Sequence, residues 1–213
     1  MVKIYVDSAD LKQMREAAKN PLIKGFTTNP TLMRKAGVKD YRAFAHEAIS
    51  EFKDYPISLE VFADDFLGME TQALEIASWG ENVYVKIPVT NTKGDSSQDL
   101  IAVLARSGIK LNVTAVMTRD QIGQVADCLW KDTPAVISVF AGRIADTGRN
   151  PVSTVNHALM RRRAPQHEIL WASPRQVLDV YKADDLACDI ITCQPDLIAK
   201  LALCGKNLRD YSR

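Results

Sequence analysis

The sequence contains few of the residues on which metal sites and catalytic triads depend. Its three histidines, His46, His157 and His167, lie far apart along the chain. A zinc site or a serine–histidine triad needs at least one well-placed imidazole. No residues show metal-ligand spacing, and no glycine-rich nucleotide loop follows the first predicted strand. We therefore expect neither a metal nor another cofactor.

Paired cysteines are also missing. The four cysteines, Cys128, Cys188, Cys193 and Cys204, form no C-x-x-C motif, and most of them stand among apolar residues. Disulfide frameworks belong to oxidising compartments, and zinc frameworks need paired cysteines. The pattern is typical of reduced thiols, and we expect a cytoplasmic protein.

The chain lacks long apolar runs and an excess of either charge. Its first residues, "MVKIYVDSAD", show no signal-peptide pattern, and no apolar run approaches the length of a membrane span. The formal net charge is +1, so the charge balance shows none of the basic excess that is typical of proteins that bind nucleic acid or membranes. We interpret the one dense basic run, residues 161–163, as the solvated end of a helix. We expect no nucleic-acid or membrane partner.

Short segments rich in valine, isoleucine and threonine alternate with longer segments of helical period. One helical segment, "DDFLGMETQALEIASWG", has apolar residues at helical spacing and ends at Gly80. The short segments predict eight strands: Lys3–Asp7, Gly25–Asn29, Ile57–Phe62, Val83–Val89, Lys110–Val116, Ala135–Ala141, Glu168–Ser173 and Asp189–Cys193.

Eight β/α units in 213 residues predict an α/β protein with a single (β/α)8 barrel, the TIM barrel, which spans residues 1–213. A doubly wound open sheet is the alternative. It would normally carry a glycine-rich loop after the first strand, and "VDSADLKQ" contains no glycine.

Polar residues recur at the carboxyl ends of seven consecutive predicted strands. Taken singly, an asparagine or threonine there is usually a turn residue, an aspartate is usually a helix cap, and an arginine is usually a surface cation. In a TIM barrel, however, these strand ends converge on one mouth, where the active site lies. The polar residues at or just beyond these ends are Asp7, Thr27, Thr28, Asn29, Glu60, Lys86, Asn112, Thr114, Arg143, Asp146, Ser173 and Arg175, and the apolar Phe140 lies among them.

The segment "VYVKIPVT" contains the least expected of these residues. Val83, Val85 and Ile87 form one apolar face of the strand, and Lys86 lies on the other face in the middle of the run. A buried ammonium without a partner costs several kcal/mol or loses its proton. Lys86 is thus either a lysine whose head group extends to water or an amine kept there for chemistry.

The residue types at the mouth suit the chemistry of a metal-free aldolase. A lysine amine can attack a carbonyl and form a Schiff base, which accepts the electrons of a neighbouring carbon–carbon bond. A carboxylate can remove the hydroxyl proton as that bond breaks. Arg143, Ser173 and Arg175 suit a phosphate, with the last two near a helix amino terminus. The set predicts a lysine-dependent aldolase for phosphorylated sugars.

The sequence also resembles the transaldolases, in the small subgroup that includes fructose-6-phosphate aldolase. The resemblance covers nearly the whole chain in order. It rests on the motifs "DSAD", "GFTTNPTL", "VKIPVT", "NVTA", "FAGRIAD" and "ASPR". The combination of "TTNP" with "VKIPVT" is specific for this family, whereas either motif alone would be a moderate signal.

The resemblance implies four catalytic residues. Lys86 matches the Schiff-base lysine, and Asp7 matches the acid/base that handles the proton of the cleaved hydroxyl. Glu60 and Thr114 match the pair that holds the catalytic water. The positions that match substrate-binding residues of the family are Thr28, Asn29, Asn112, Phe140, Arg143, Ser173 and Arg175, the last three of them at the phosphate.

Two positions distinguish the members of the family. In the aldolase type, a glutamine matches Glu60 and a tyrosine matches Phe140. The glutamate and phenylalanine of this chain are similar to those of transaldolases, which implies transfer to an aldose phosphate over release of free dihydroxyacetone. A related lysine aldolase with another donor, acceptor or anionic group and a non-catalytic binding barrel are the alternatives.

The chain departs from the family pattern in three places. Pro174 lies inside the serine–arginine motif, and we expect it to fix the turn there. Trp171 lies two residues before Ser173, so we expect it on the same face of the strand, where it would reshape the pocket. The sequence ends at "LRDYSR", where the last helix of the family would begin, so we expect a barrel without that helix. In the family this helix packs against a neighbouring subunit. The resemblance implies a homo-oligomer, a pentamer or decamer.

Overall fold

The computed structural model describes all residues from 1 to 213 and contains eight strands. They are β1 (Lys3–Asp7), β2 (Ile23–Thr27), β3 (Ile57–Glu60), β4 (Val83–Pro88), β5 (Leu111–Val116), β6 (Ala135–Val139), β7 (His167–Trp171) and β8 (Ile190–Cys193).

The eight strands form a closed parallel barrel in chain order. Each strand pairs with the next, and β8 closes the barrel by pairing with β1, with Ile4 opposite Ile191. An open sheet would leave two strands with a free edge, whereas every strand here has two neighbours. The predicted (β/α)8 barrel is therefore confirmed, and the doubly wound alternative is excluded.

Helices connect the strands and surround the barrel. They are α1 (Leu11–Ala18), α2 (Pro30–Ala36), α3 (Tyr41–Glu51), α4 (Phe66–Ala77), α5 (Gln98–Arg106), α6 (Arg119–Cys128), α7 (Ala141–Asp146), α8 (Val152–Arg161), α9 (Leu178–Asp185), α10 (Pro195–Lys200) and α11 (Leu208–Tyr211). A 3-10 turn, Leu201–Leu203, follows α10. None of these helices combines the length and apolar character needed to cross a membrane.

The alternation of side chains along β4 divides the core into two layers. Val83, Val85 and Ile87 belong to the large apolar cluster between the strands and the helices. Tyr84 and Lys86 point to the other face, inside the barrel. Burial of the apolar face fixes the register of the strand, since a slip of one residue would exchange the two faces.

The lower part of the barrel interior is filled by side chains. Tyr5, Val136, Leu170 and Ile190 form a small buried cluster there. The Tyr5 ring occupies the space beside Gly25, where an added Cβ would lie 2.6 Å from the ring. This packing closes the barrel from below, so the room for a ligand inside the barrel lies toward the carboxyl ends of the strands.

The chain leaves β2 earlier than the sequence pattern predicts. The strand ends at Thr27, and Asn29 has become the N-cap of α2, with its Oδ1 accepting from Leu32 N at 3.0 Å. Pro30 occupies the first turn of this helix, where its missing N–H costs nothing. Capping chemistry thus overrides the strand pattern at residues 28 and 29.

Candidate active site

A cavity of about 450 Å³ opens at the carboxyl ends of the strands. Twenty residues line it, and only four of them are hydrophobic, so the cavity is suited to a polar ligand. The predicted site residues that line it are Asp7, Asn29, Glu60, Lys86, Asn112, Thr114, Phe140, Arg143, Ser173 and Arg175.

Lys86 is buried in this cavity and has two partners. The residue is 7% exposed. Its Nζ lies 2.9 Å from Glu60 Oε2 and donates to the main-chain oxygen of Thr28 at 2.7 Å. Lys86 and Glu60 are paired across β3 and β4, which places both side chains at the same height in the barrel. The amine therefore stays inside the barrel and does not extend to bulk water.

Asp7 lies at the end of β1 in a chain of hydroxyl groups. Thr27 Oγ1 donates to Asp7 Oδ1 at 2.9 Å and lies 2.6 Å from Thr192 Oγ1. Burial raises the pKa of the Asp7 carboxyl, while the positive charge of Lys86 and the Thr27 hydrogen bond act in the opposite direction. A carboxylate that binds protons more readily than usual is suited to general acid/base chemistry.

Asn112 is fixed by two buried serines. Its Nδ2 donates to Ser58 Oγ at 3.0 Å, and its Oδ1 accepts from Ser138 Oγ at 2.7 Å. Asn112 is paired with Lys86 across β4 and β5, so this network lies beside the lysine. The network links three strands and holds the amide in one orientation.

Thr114 and Asn29 reach the cavity by local features of the backbone. A bulge interrupts the β5–β6 ladder between Val113 and Val116, and Ala115 takes the left-handed conformation there with φ 61°. Both Thr114 and Ala115 line the cavity. Asn29 caps α2 with its oxygen and lies at the opposite side of the mouth. The strand pattern alone does not define these positions.

Thr28 does not occupy the position that its motif predicts. Its side chain is fully buried, and its hydroxyl donates to the Ser58 main-chain oxygen at 3.1 Å. The prediction of Thr28 as a substrate-binding side chain is therefore corrected: Thr27 lines the cavity instead, and Thr28 contributes its carbonyl group to Lys86. Adjacent residues of an extended backbone point to opposite sides, so Thr27 and Thr28 do not both face the cavity.

Arg143 lies over the ring of Phe140. The guanidinium carbon is 4.6 Å from the ring centroid, which is a favourable cation–π distance. Phe140 precedes the first residue of α7, and Arg143 is in that helix. Arg143 has no carboxylate partner within the chain. Its charge is therefore available to an anionic ligand.

Gly142 holds the β6 and β7 ends together. Its N–H donates to the Ala172 main-chain oxygen at 3.2 Å. An added Cβ at Gly142 would lie 1.5 Å from the Ser173 carbonyl oxygen, so no other residue fits without a shift of the backbone. This close approach brings Arg143 and Ser173 to the same part of the mouth.

Arg175 is the other cation at this side of the mouth. Its Nε donates to Asp146 Oδ1 at 3.1 Å, and its terminal nitrogen contacts the second oxygen of the same carboxylate. The backbone N–H groups of Arg175 and Gln176 donate to Asp179 Oδ2 at 2.8 and 3.2 Å. Asp179, in the first turn of α9, therefore already occupies the backbone donors that precede this helix. The groups that remain for an anion are the Arg175 guanidinium and Ser173.

Trp171 does not reach the cavity, contrary to expectation. It is fully buried in the apolar cluster outside the barrel. Ser173 reaches the cavity because its backbone takes the left-handed conformation, with φ 57°. This turn breaks the alternation along the strand, so residues 171 and 173 do not share a face. The pocket is not reshaped by the tryptophan.

The cavity also contains residues that the sequence reading did not select. Alternation along the strands could have found Ser138, two residues before Phe140, and Thr192, two residues after Ile190. Lys35 at the end of α2 and Gln194 after β8 carried no signal, because their positions depend on how the loops turn over the mouth. All four residues line the cavity.

The model of the family described as Transaldolase/Fructose-6-phosphate aldolase matches residues 4–211. The chain belongs to this family. It is 36% identical over 196 residues to a probable transaldolase from Roseiflexus sp. (strain RS-1), covering 90% of this chain and 85% of that protein. It is 31% identical over 202 residues to a probable transaldolase from Methanococcus maripaludis (strain C7), covering 94% and 89%.

Solved structures with low sequence identity share the fold. The KGPDC of Streptococcus mutans superposes with a TM-score of 0.58 at 12% identity, covering 91% of this chain and 87% of that chain. The dihydrodipicolinate synthase of Rhodopseudomonas palustris gives a TM-score of 0.52 at 15% identity, covering 99% and 77%. These similarities describe the barrel alone.

Proposed function

We propose that the protein is a transaldolase, which moves a dihydroxyacetone unit from a ketose phosphate to an aldose phosphate through a Schiff base on Lys86. The observation that carries the proposal is a buried amine at the floor of a polar cavity, 2.9 Å from a carboxylate. The family membership of the chain supports the same reaction class.

In the first step, Lys86 transfers a proton to Glu60, and its amine attacks the carbonyl carbon of the ketose and forms a carbinolamine. Loss of the former carbonyl oxygen as water gives the iminium. The Glu60 carboxylate is paired with Lys86, with Oε2 2.9 Å from the amine nitrogen, and lies where it can take and return protons through a water that it shares with Thr114. Both residues line the cavity beside Lys86.

In the second step, Asp7 removes the proton of the C4 hydroxyl. The C3–C4 bond breaks, its electron pair moves into the iminium to give an enamine, and the aldose phosphate leaves. Addition of the enamine to a second aldose phosphate forms the new C3–C4 bond, Asp7 returns the proton, and water hydrolyses the regenerated iminium to free the product ketose phosphate and the Lys86 amine. The raised pKa of the Asp7 carboxyl suits a group that must hold this proton between the two half-reactions.

The phosphate of either sugar binds at the β6–β7 side of the mouth in this proposal. Arg143 and Arg175 supply charge-assisted donors, and Ser173 supplies a hydroxyl. Asn29 and Asn112 contact the hydroxyl groups of the three-carbon unit near Lys86. Binding of the phosphate at the far end of the substrate would thus hold the carbonyl carbon beside the Lys86 amine.

Transfer is favoured over release by the side chain at position 140. Phe140 has no hydroxyl to activate water against the covalent intermediate, and its ring lies under Arg143. Glu60 contacts the amine directly, which suits proton transfer within the cycle. The three-carbon unit therefore waits for an aldose acceptor.

The test measures consumption of fructose 6-phosphate and formation of free dihydroxyacetone, with and without erythrose 4-phosphate. We expect wild-type protein to turn over only with the acceptor, and Phe140→Tyr to release dihydroxyacetone several-fold faster without it. The substitution adds one hydroxyl with little change in volume. If the wild type releases dihydroxyacetone freely and the tyrosine changes nothing, an aldolase replaces the transaldolase.

A further inference from the structure

The hydrogen-bonded ladder between β2 and β3 is short and ends next to the residues of the candidate active site. Only two residue pairs form this ladder, Phe26 with Ile57 and Thr27 with Ser58. The last backbone bond runs from Thr28 N to the Ser58 oxygen at 3.1 Å. Donors from β2 in a parallel ladder recur every second residue, so the next donor would be residue 30.

Residue 30 cannot supply that donor. It is a proline, which has no N–H, and it already belongs to the first turn of α2. The main-chain oxygen of Glu60 therefore lacks the partner that a longer β2 would provide. This gap lies at the residue whose side chain contacts Lys86.

A side chain from α3 fills the gap. Tyr41, the first residue of this helix, donates its hydroxyl to the Glu60 main-chain oxygen at 3.0 Å. Burial, together with the negative charge of Glu60, raises the pKa of Tyr41. The phenol therefore keeps its proton and remains a donor throughout the working pH range.

The position of the tyrosine ring is itself fixed by packing. Its centroid is 4.8 Å from the Phe62 ring and 5.5 Å from the Trp79 ring, and both pairs are edge-to-face. Phe62 follows Glu60 by two residues, and Trp79 lies just after α4. The tyrosine ring is thus held by the β3–α4 connection and by the segment that follows α4.

We propose that Tyr41 is a positioning residue, whose hydroxyl fixes the carboxyl end of β3 and so holds the Glu60 carboxylate against the Lys86 amine. The inference rests on the role of Glu60 in the proposed function. Catalytic groups lose much of their effect when they are displaced by about 1 Å. Tyr41 does not line the cavity, so it acts through Glu60 and not on the substrate.

The test is a double-mutant cycle between Tyr41→Phe and Glu60→Ala, with kcat and KM measured for acceptor-dependent transfer. Phenylalanine keeps the packed ring and removes only the donor. We expect Tyr41→Phe to lower kcat by about 10-fold and to change KM by less than about 2-fold, since the phosphate binds at another wall. In the Glu60→Ala background, the same change should lower kcat by less than about 2-fold.

Tyr55→Phe is the matched control. Its ring packs against Phe26 at 5.4 Å in the same region, and its hydroxyl makes no hydrogen bond within the chain. This variant should keep kcat within about 2-fold of wild type. A thermal melt of each variant separates lost stability from lost positioning.

The outcomes distinguish this inference from the proposed function. Equal losses from Tyr41→Phe in both backgrounds would overturn the inference alone, because the hydroxyl would then act independently of the Glu60 side chain. A rise in KM with kcat unchanged would also overturn it. If Glu60→Ala itself keeps the wild-type kcat, the proposed role of Glu60 fails, and the inference fails with it.

Discussion

The two walls of the cavity hold their functional groups in different ways. On the β3–β4 wall, Glu60 and Lys86 are strand residues paired across the sheet, and their side chains are 17% and 9% exposed. On the β6–β7 wall, Arg143 and Arg175 lie beyond the strands, and Arg175 and its partner Asp146 are 52% and 50% exposed.

The difference matches the two tasks that the proposed function requires. Bond making needs groups held within a fraction of an ångström, and strands provide this better than loops. Phosphate binding needs charge near water, from which the ligand enters and into which it leaves. Because water screens the exposed pair strongly, the proposed exchange of Asp146 for a phosphate at Arg175 would cost little.

The strongest test of this contrast removes the amine. We predict that Lys86→Met lowers kcat for transfer by more than about 1,000-fold, because no other group can form the covalent intermediate. Coupled assays of acceptor-dependent transfer measure the loss. Lys110→Met is the control: Lys110 precedes β5 and donates to the Glu81 oxygen at 2.5 Å, at the opposite end of the barrel. A Lys86→Met rate near that of the control would contradict the proposal.

On the β6–β7 wall we expect a substitution to weaken substrate binding. Arg175→Ala should raise KM for phosphorylated donors by about 10- to 100-fold, since a hydrogen bond to a charged group contributes about 1.5–3 kcal/mol. Use of unphosphorylated dihydroxyacetone should barely change. Arg161→Ala, which removes a surface cation paired with Asp127, should affect neither substrate. Equal losses on both substrate classes would mean that Arg175 has a structural role.

A smaller effect of opposite sign is expected at Asp146. Asp146→Asn removes the carboxylate that is paired with Arg175 and that, in the proposed function, competes with phosphate for it. Exposed ion pairs contribute about 0.2–1 kcal/mol, so KM for phosphorylated donors should fall by about 1.5- to 5-fold. The same assay series measures it. A rise in KM would indicate that Asp146 orients the guanidinium and does not compete with the ligand.

The smallest expected effect is a pH-dependent change in stability that is caused by the buried carboxyl group of Asp7. Burial raises the pKa of Asp7 above its ordinary value of 3.8, so the folded protein binds this proton more tightly than the unfolded chain. The charged carboxylate therefore destabilises the fold at neutral pH, and the penalty disappears as the pH falls through the folded-state pKa to below about 3.8.

Asp7→Asn should accordingly melt a few degrees higher than wild type at pH 7, by about 2–4 °C for each kcal/mol removed. The difference should vanish near pH ~3.5. Melting curves across this range measure the effect, and the exposed Asp132→Asn serves as control. A variant that is less stable than wild type at pH 7 would show that the Thr27 hydrogen bond outweighs burial.

The residues that could be predicted from the sequence are those governed by strand alternation. Lys86 and Glu60 interrupt apolar strands, and a charge in such a position indicates either a partner or a function. The eight β/α units likewise followed from periodicity, and the closed barrel confirms them. Convergence of the strand ends at one mouth follows from the topology alone.

The remaining features depend on backbone conformations that periodicity does not encode. The left-handed turn at Ser173 separates it from Trp171, and the cap at Asn29 ends β2 before Thr28. Each of these local events moves a side chain to another face. Contacts between distant segments, such as that of Tyr41 with Glu60, have no local signal at all.

The most direct measurement of the central claim is reductive trapping of the covalent intermediate. The protein is treated with borohydride in the presence of fructose 6-phosphate, and intact mass and peptide mapping follow. The account predicts the mass of one reduced dihydroxyacetone unit per chain, located on Lys86 and absent from Lys86→Met. An adduct on another lysine, or one that persists in Lys86→Met, would contradict it.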